Sequence, residues 1–439
     1  MRMMKDSGIE WIGDAPQNWQ LVRIKVCISR RDSGAWGEEA TGEPGDCVCI
    51  RVADMDYDRL RLKDDLPFTY RNYEEKVIES LKLADGDILI EKSGGGEKTL
   101  VGRAVMFRGT LQAVFANFME RIRCRDFVRS RFLMYILAVL YQSGYIKNYI
   151  KQTTGIQNLD ISSMFSKVYL ALPPITVQDR ITDYLDRKCS QIDAIIAQQQ
   201  EVIEKLKAYK LSVITEAVTK GLNPDAPMKD SGVEWIGKIP EHWQVPKIKY
   251  LATIASGGTP DRSHPEYWNG SINWAKTGEL QNNELYETEE KITEMALENS
   301  SAKVFSVDTI LVAMYGQGKT RGMTALLKVP SATNQACAGI TVYSKDITVS
   351  YLWLFLMGAY DAIREKANGS GQPNLSGVLI ADFNVTLPPI EEQMNICKTV
   401  AMRLPHIDSI IKQKETIVDK LTAYKKSLIY EVVTGKKEV

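Results

Sequence analysis

Residues 228–249 read MKDSGVEWIGKIPEHWQVPKIK, and residues 4–25 read MKDSGIEWIGDAPQNWQLVRIK. Aligned without a gap, 14 of the 22 positions are identical, and Ile9/Val233 and Arg23/Lys247 are conservative exchanges. A match of that density within one chain marks an internal duplication. The fold is therefore expected to consist of two copies of one unit, the second beginning near Met228. Each copy opens on a stretch dense in turn formers and tryptophan (Gly8, Gly13, Pro16, Trp11 and Trp19 in the first), which predicts an irregular, packed lead-in and not a regular helix.

A second repeat closes each copy. Residues 172–219 align with 387–434 without a gap, with 21 of 48 positions identical. Both segments open on Leu-Pro-Pro-Ile, at Leu172 and Leu387, where two prolines break the preceding strand and pre-set a helix start. Residues 177–219 hold neither proline nor glycine. Leu185, Ile192, Leu206 and Val213 share one seven-residue register, with Gln199 the polar exception, and Cys189, Ile196, Ile203 and Ala217 fall four residues on. That spacing predicts a coiled-coil seam on a helix roughly 65 Å long, which needs a partner helix to cover it. The second copy supplies the partner, with Pro405 expected to kink or restart it.

Between lead-in and long helix lies an α+β region of domain size. In the first copy, residues 47–52, 87–91, 101–107 and 113–123 read as strands, 74–83 as a helix, and 131–150 as a helix or helix pair. In the second copy, 250–386, an outline of the same domain survives. Glu74-Glu75-Lys76-Val77 matches Glu289-Glu290-Lys291-Ile292, and Gly155 with Asn158-Leu159 matches Gly371 with Asn374-Leu375. The expected organisation is a lead-in and domain at 1–171, a long helix at 172–221, a second lead-in and domain at 222–386, and a second long helix at 387–439. A pseudo-two-fold arrangement would then run the helices antiparallel.

Composition narrows the class. The chain has 439 residues, 44% hydrophobic and 25% charged, and Lys plus Arg equals Asp plus Glu at 55 each. A zero balance argues against a tail-type nucleic-acid binder while leaving local basic patches open. Seven scattered cysteines fit a reduced compartment, and Cys47 and Cys49, on one face of a strand, read as buried packing. The start MRMMKDSGIE carries no signal-peptide pattern, and the longest apolar runs, 132–141 and 352–357, are too short to span a bilayer, so the expected location is the cytoplasm.

No credible catalytic set emerges. A DNA adenine methyltransferase needs Asp or Asn before Pro-Pro and an aromatic after it, but Leu172 and Leu387 precede the prolines and Ile175 and Ile390 follow. Nuclease triplets could be sought at Glu74-x-Lys76 and Glu289-x-Lys291, and both read better as helix starts. Gly318-Lys319-Thr320 lacks the glycine of a phosphate loop, since Ala313 stands in its place. A pure coiled-coil scaffold would explain the helices but not two large diverged domains.

Nucleic-acid chemistry is better represented. Ser93-Gly94-Gly95-Gly96-Glu97-Lys98-Thr99 and Tyr315-Gly316-Gln317-Gly318-Lys319-Thr320-Arg321 occupy equivalent places after a strand. Glycines there let backbone approach DNA, with Lys98, Gln317, Lys319 and Arg321 as side-chain candidates; a plain hairpin is the alternative. Lys151, Thr153, Thr154 and Gln157 lie in a polar, basic, aromatic stretch whose counterpart includes Arg364, Ser370 and Gln372, groups suited to base edges and phosphates. Arg121, Arg123, Arg125, Arg129 and Arg131 read equally as phosphate contacts or as a solvated edge.

These motifs in this order resemble the specificity subunit of type I restriction–modification enzymes. The resemblance covers the whole chain and rests on the duplicated SG[IV]EWIG…P..W lead-in, the Gly…Asn-Leu element, and the LPPI…Q…I helix starts. It also rests on Ser256-Gly-Gly-Thr-Pro260, Ile272-Asn-Trp274, Lys276-Thr277-Gly-Glu-Leu280 and Asn334-Gln335 of the second domain. The first domain departs, with Asn117-Phe118 against Asn334-Gln335. The resemblance implies two target-recognition domains, each reading half of a split, asymmetric site in double-stranded DNA, with Lys276 and Thr277 among the candidate contacts. It implies helices that set the spacer and dock two modification subunits. S-adenosylmethionine would sit on those partners and no cofactor or metal on this chain. Restriction and translocase subunits could join, and the chain itself would not be an enzyme.

Overall fold

The computed structural model describes residues 3–42, 44–64, 67–96, 99–153, 155–316, 318–367 and 374–439. The chain divides into two compact units, Met1–Gln199 with Thr416–Val439, and Gln200–Glu415. Its helices are α1 (Glu75–Leu81), α2 (Ser130–Gln142), α3 (Ile161–Lys167), α4 (Ile175–Lys220), α5 (Glu294–Glu298), α6 (Val349–Gly358), α7 (Tyr360–Glu365), α8 (Gly377–Ala381) and α9 (Ile390–Val433). The first unit takes α1–α3, the first part of α4 and the last part of α9; the second takes the remainder.

The two lead-ins fold alike. Met4–Asp6 pairs antiparallel with Asp14–Pro16, and Met228–Asp230 with Lys238–Pro240. In each turn an aspartate, Asp6 or Asp230, accepts the N–H of a left-handed glycine, Gly8 or Gly232, at 2.9 Å. The expected irregular stretch thus holds short strands joined by a repeated Asx turn. In the first unit Gln20–Arg23 then pairs with Tyr169–Leu172, and the Trp11 indole donates to the Tyr169 carbonyl at 3.0 Å. The lead-in is thereby fastened to the segment that feeds α4.

Each domain is built on a buried strand with two apolar faces. Ile88–Glu91 lies between Ala104–Met106 and Met119–Cys124 in a four-stranded antiparallel sheet whose other edge is Ile28–Ser33. Ile88 and Ile90 pack with Phe132, Leu133 and Ile136 of α2, while Leu89 packs with Val48, Cys49 and Phe115 on the other side. Alternation of side chains along a strand requires this split, and a sheet covered on both faces reads as a continuous apolar run. The second unit repeats the scheme. Ile310 and Val312 of Ile310–Ala313 face the cluster holding Leu352 and Phe355 of α6, and Leu311 and Ala313 face Leu285 and Leu327.

Two expectations are corrected. Helix α2 ends at Gln142, because Gly144 adopts φ +75° and stops it; residues 145–149 form a 3-10 turn and Ile150–Thr153 a strand. Glu290–Ile292 is a strand paired with Trp268–Ala275, not a helix start. Helix α5 begins only after Thr293, whose hydroxyl accepts the Ala296 N–H at 3.2 Å. At the other triplet α1 does begin, at Glu75.

The long helices begin in the same way in both units. Gln178 and Gln393 are fully buried. The Gln178 carboxamide donates to the Pro173 and Phe127 carbonyls and accepts the Arg129 N–H. Gln393 donates to Pro388 and Asp346 and accepts the Thr348 N–H. This is the physical content of the LPPI…Q motif: one amide ties the proline pair to the loop before α2 or α6. Along the seam Leu185, Cys189, Ile192, Ile203 and Ala217 are buried, and α9 runs unbroken through Pro405.

The helices run antiparallel within each unit. In the second, the Val218 carbonyl accepts from Thr386 just before α9, while Lys210, earlier on α4, meets Asp408 at 2.6 Å, farther along α9. In the first, Lys425 meets Asp193 at 2.6 Å, and the Tyr430 hydroxyl reaches Ile12 of the lead-in that precedes α4. The two ion pairs join equivalent positions of the repeat. No helix among the described residues is long and apolar enough to cross a membrane.

Candidate nucleic-acid interface

In the first unit the glycine-rich loop after Ile88–Glu91 is stitched to the polar stretch that follows α2. Ser93–Gly94 pairs antiparallel with Ile156–Leu159, which pairs with Ile150–Thr153. Ser93, Gly94, Gly95, Lys151 and Gln157 are thereby brought onto one small sheet and its adjoining loop. The Ser93 hydroxyl bonds Asn158 at 2.7 Å, and Gly95 takes φ +71° at a point where a Cβ would lie 2.8 Å from Gln157 Oε1. Gln157 is 6% exposed. Its Oε1 accepts the Val101 N–H at 3.0 Å and its Nε2 donates to the Gly96 carbonyl at 3.1 Å, so it shapes the loop from within. Lys151 reaches solvent, its side chain 76% exposed, and meets Asp160 at 2.9 Å. Lys98, Thr154 and the side chain of Thr153 lie outside the described residues.

In the second unit Tyr315, Lys319 and Arg321 sit on the hairpin between Ile310–Ala313 and Thr324–Leu327. Tyr315 is exposed. The Lys319 side chain is 84% exposed and 3.8 Å from Glu204, a surface pair of little strength. Lys276 and Thr277 instead follow Trp268–Ala275, a strand of a separate three-stranded sheet, with Thr277 opening a short turn over Thr277–Glu279. Hydrogen bonds to Glu289 and then Glu290, each at 2.9 Å, hold the Lys276 ammonium above its ordinary pKa. Gln317, Ser370 and Gln372 lie outside the described residues.

The arginine cluster resolves into internal ion pairs. Arg121 is fully buried, with Asp32 at 2.5 Å and the Ser80 and Lys82 carbonyls as further acceptors. Arg123 pairs with Asp87 at 2.7 Å, and Arg125 donates to the Ile28 carbonyl. Arg129 meets Asp179 at 2.6 Å, and Arg131 meets Asp183 and Asp186, all on α4. These side chains stitch the sheet and fasten the domain to its helix. Cys47 and Cys49 are buried, and that burial raises both thiols.

Sequence reading missed Tyr360 and took Arg364 for a surface contact. The Arg364 guanidinium donates to the Arg321 and Gly318 carbonyls at 2.7 and 2.8 Å, and the Tyr360 hydroxyl donates to Lys319 at 2.6 Å. Their i,i+4 spacing was the one available signal, since it puts both on one face of a helix.

Comparison with known proteins agrees with this architecture. Residues 240–426 match the family described as Type I restriction modification DNA specificity domain. The MjaVIII type I restriction enzyme specificity subunit of Methanocaldococcus jannaschii is 25% identical over 434 residues, 96% of this chain and 93% of the relative. The MjaIX specificity subunit of the same organism is 34% identical over 188 residues, and that match spans 41% of each chain. The EcoKI specificity subunit of Escherichia coli K12 is 23% identical over 386 residues, 85% of this chain and 78% of the relative. A solved chain from work on complex assembly and conformational transition of the type I R-M system shares the fold, with TM-score 0.70 and 12% identity over 96% of this chain and 99% of that one.

Proposed function

The chain belongs to the type I restriction–modification specificity subunits, which recognise the DNA target, and we propose on that premise that each unit reads one half of a bipartite, asymmetric site. The observation that carries this reading is a contrast between the copies. Lead-in turns, buried glutamines and helix ion pairs recur at equivalent positions, whereas the loops after the central strands, 93–99 and 315–321, differ in sequence and chemistry. Identical loops could not tell two half-sites apart; diverged loops on a shared frame can. Ser93, Gly94, Gly95 and Lys151 would face one half, and Tyr315, Lys319 and Arg321 the other, with Lys276 and Thr277 at its margin. Hydroxyls suit base edges and lysines suit phosphates.

The chain is the non-catalytic member of its complex. Methylation belongs to modification subunits that carry S-adenosylmethionine, and two of them dock, one on each frame copy. Support comes from exposed residues that the duplication keeps on both long helices. Lys205, Ala208, Tyr209 and Ser212 on α4 are exposed, and so are Lys420, Ala423, Tyr424 and Ser427 at the equivalent positions of α9. Large exposed aromatics such as Tyr209 and Tyr424 are common anchors of protein interfaces. Helix length would set the spacer between half-sites, and restriction and translocase subunits would join the same assembly.

Methylome mapping with and without this gene, in a host that carries the modification subunit, tests the reading. Adenine methylation at one split motif should appear only with the gene. An unchanged methylome with an active modification subunit would refute it.

A further inference from the structure

The two loops assigned to DNA share one device despite unrelated sequences. In the second unit, Arg364 and Tyr360 on α7 draw in the carbonyls of Gly318, Lys319 and Arg321. Arg364 also donates to the Tyr360 hydroxyl at 2.9 Å. Its stem packs on Gly322, where a Cβ would lie 3.1 Å from Arg364 Cγ and φ is +85°. In the first unit, Gln157 accepts from Val101 and donates to Gly96, spanning the base of its loop, and Gly95 is pressed against the same carboxamide.

We infer that Arg364 and Gln157 are positioning residues for DNA reading: each fixes one reading loop from its protein side, and so sets selectivity for one half-site without touching DNA. The inference rests on the reading of these loops as DNA-facing. The chemistry suits the task. A guanidinium is a planar fork that holds two carbonyls at once, whereas an ammonium of the same charge cannot hold that geometry. Because a peptide unit is planar and trans, drawing in the Gly318 and Lys319 carbonyls turns the N–H groups of Lys319 and Thr320 away from α7, the direction from which a phosphate could approach. A glycine-rich loop without the clasp would sample many shapes, and discrimination by hydrogen bonds to base edges is lost when donors wander by more than about half an ångström.

The experiment uses the full chain in complex with its modification subunit. Methylation is measured on the cognate site and on sites with single-base changes in either half. Arg364→Lys keeps the charge and loses the fork; Gln157→Glu keeps the shape and sets a carboxylate against the Gly96 carbonyl. Each should lower discrimination about tenfold or more in one half only, and in opposite halves, with the other half as in wild type. Tyr360→Phe removes a single loop contact and serves if Arg364→Lys fails to fold; it should lower discrimination several-fold in the same half as Arg364. Unchanged discrimination, or an equal loss in both halves, overturns the inference. Wild-type complex that discriminates against changes in neither half would instead overturn the DNA-reading assignment itself.

Discussion

Replacing Gln393 by leucine tests how the frame holds a domain to its helix. The side chain is fully buried and makes three hydrogen bonds of 2.8 Å, accepting from Thr348 N–H and donating to the Asp346 and Pro388 carbonyls. Leucine is close in volume, so little cavity forms and the cost is that of unpaired buried groups. At about 1–3 kcal/mol for each, with carbonyls toward the low end, the second unit should lose roughly 3–5 kcal/mol. A bulk melt would blend two units, so hydrogen exchange read peptide by peptide is the suitable assay. Protected amides of 310–313 and 337–342 should then exchange about a hundredfold faster or more, with those of 88–91 unaffected. Gln178→Leu is the internal replicate, with the same three kinds of partner in the first unit, and should give the mirror result. A change below about 1 kcal/mol, or an equal change in both units, would refute the view that this amide couples α9 to its domain.

Three further outcomes follow from local geometry. The Lys425–Asp193 pair has side chains 12% and 22% exposed, against 30% and 51% for Lys210–Asp408, so double-mutant cycles should give a larger coupling for the first, about 1–2 kcal/mol against at most roughly 0.5; equal couplings would deny that burial sets the difference. Burial works against the Asp32 carboxylate, but hydrogen bonds from Arg121 and then Arg30 overcome it and hold its pKa low. A depressed folded pKa gives stability that is present above the unfolded value, about 3.9, and lost as pH falls through the folded one. Exchange protection at 119–124 should therefore weaken below about pH 4, and Asp32→Asn should flatten that acid limb while lowering stability at neutral pH; an unaltered limb would count against the pair. Gly435 has φ +77°, and a Cβ there would lie 2.5 Å from Pro16 Cγ and 3.0 Å from Trp19, whereas Gly8, at φ +66°, faces open space. Gly435→Ala should cost the first unit clearly more than the ~1 kcal/mol expected of Gly8→Ala from backbone strain alone, as read by hydrogen exchange of the first unit's protected amides.

Much of this fold was legible because duplication repeats its signals. The paired LPPI starts, the proline-free helix and its seven-residue register led to α4 and α9, and the run at 87–91 led to the central strand of the first unit. What stayed hidden depends on register between distant segments. Alternation put Arg121 and Arg123 on one face, but not what they face: Asp32 is 89 residues from Arg121 and Asp87 is 36 from Arg123. The polar run after α2 does not continue the helix, because Gly144 takes a left-handed φ of +75°. Gln157 has the right chemistry for base edges, yet the antiparallel pairing of Gly94 with Gln157 turns its amide into the loop. Strand alternation alone does not say which face of a three-stranded sheet is outside.

The central claim is that the two domains are independent readers on a common frame. Its most direct test exchanges residues 250–386 for the corresponding domain of another specificity subunit and maps methylated adenines genome-wide. One half of the recognised site should change, while the other half and the spacer stay as they were. A change in both halves, or an unchanged site with the modification subunit active, would contradict the account.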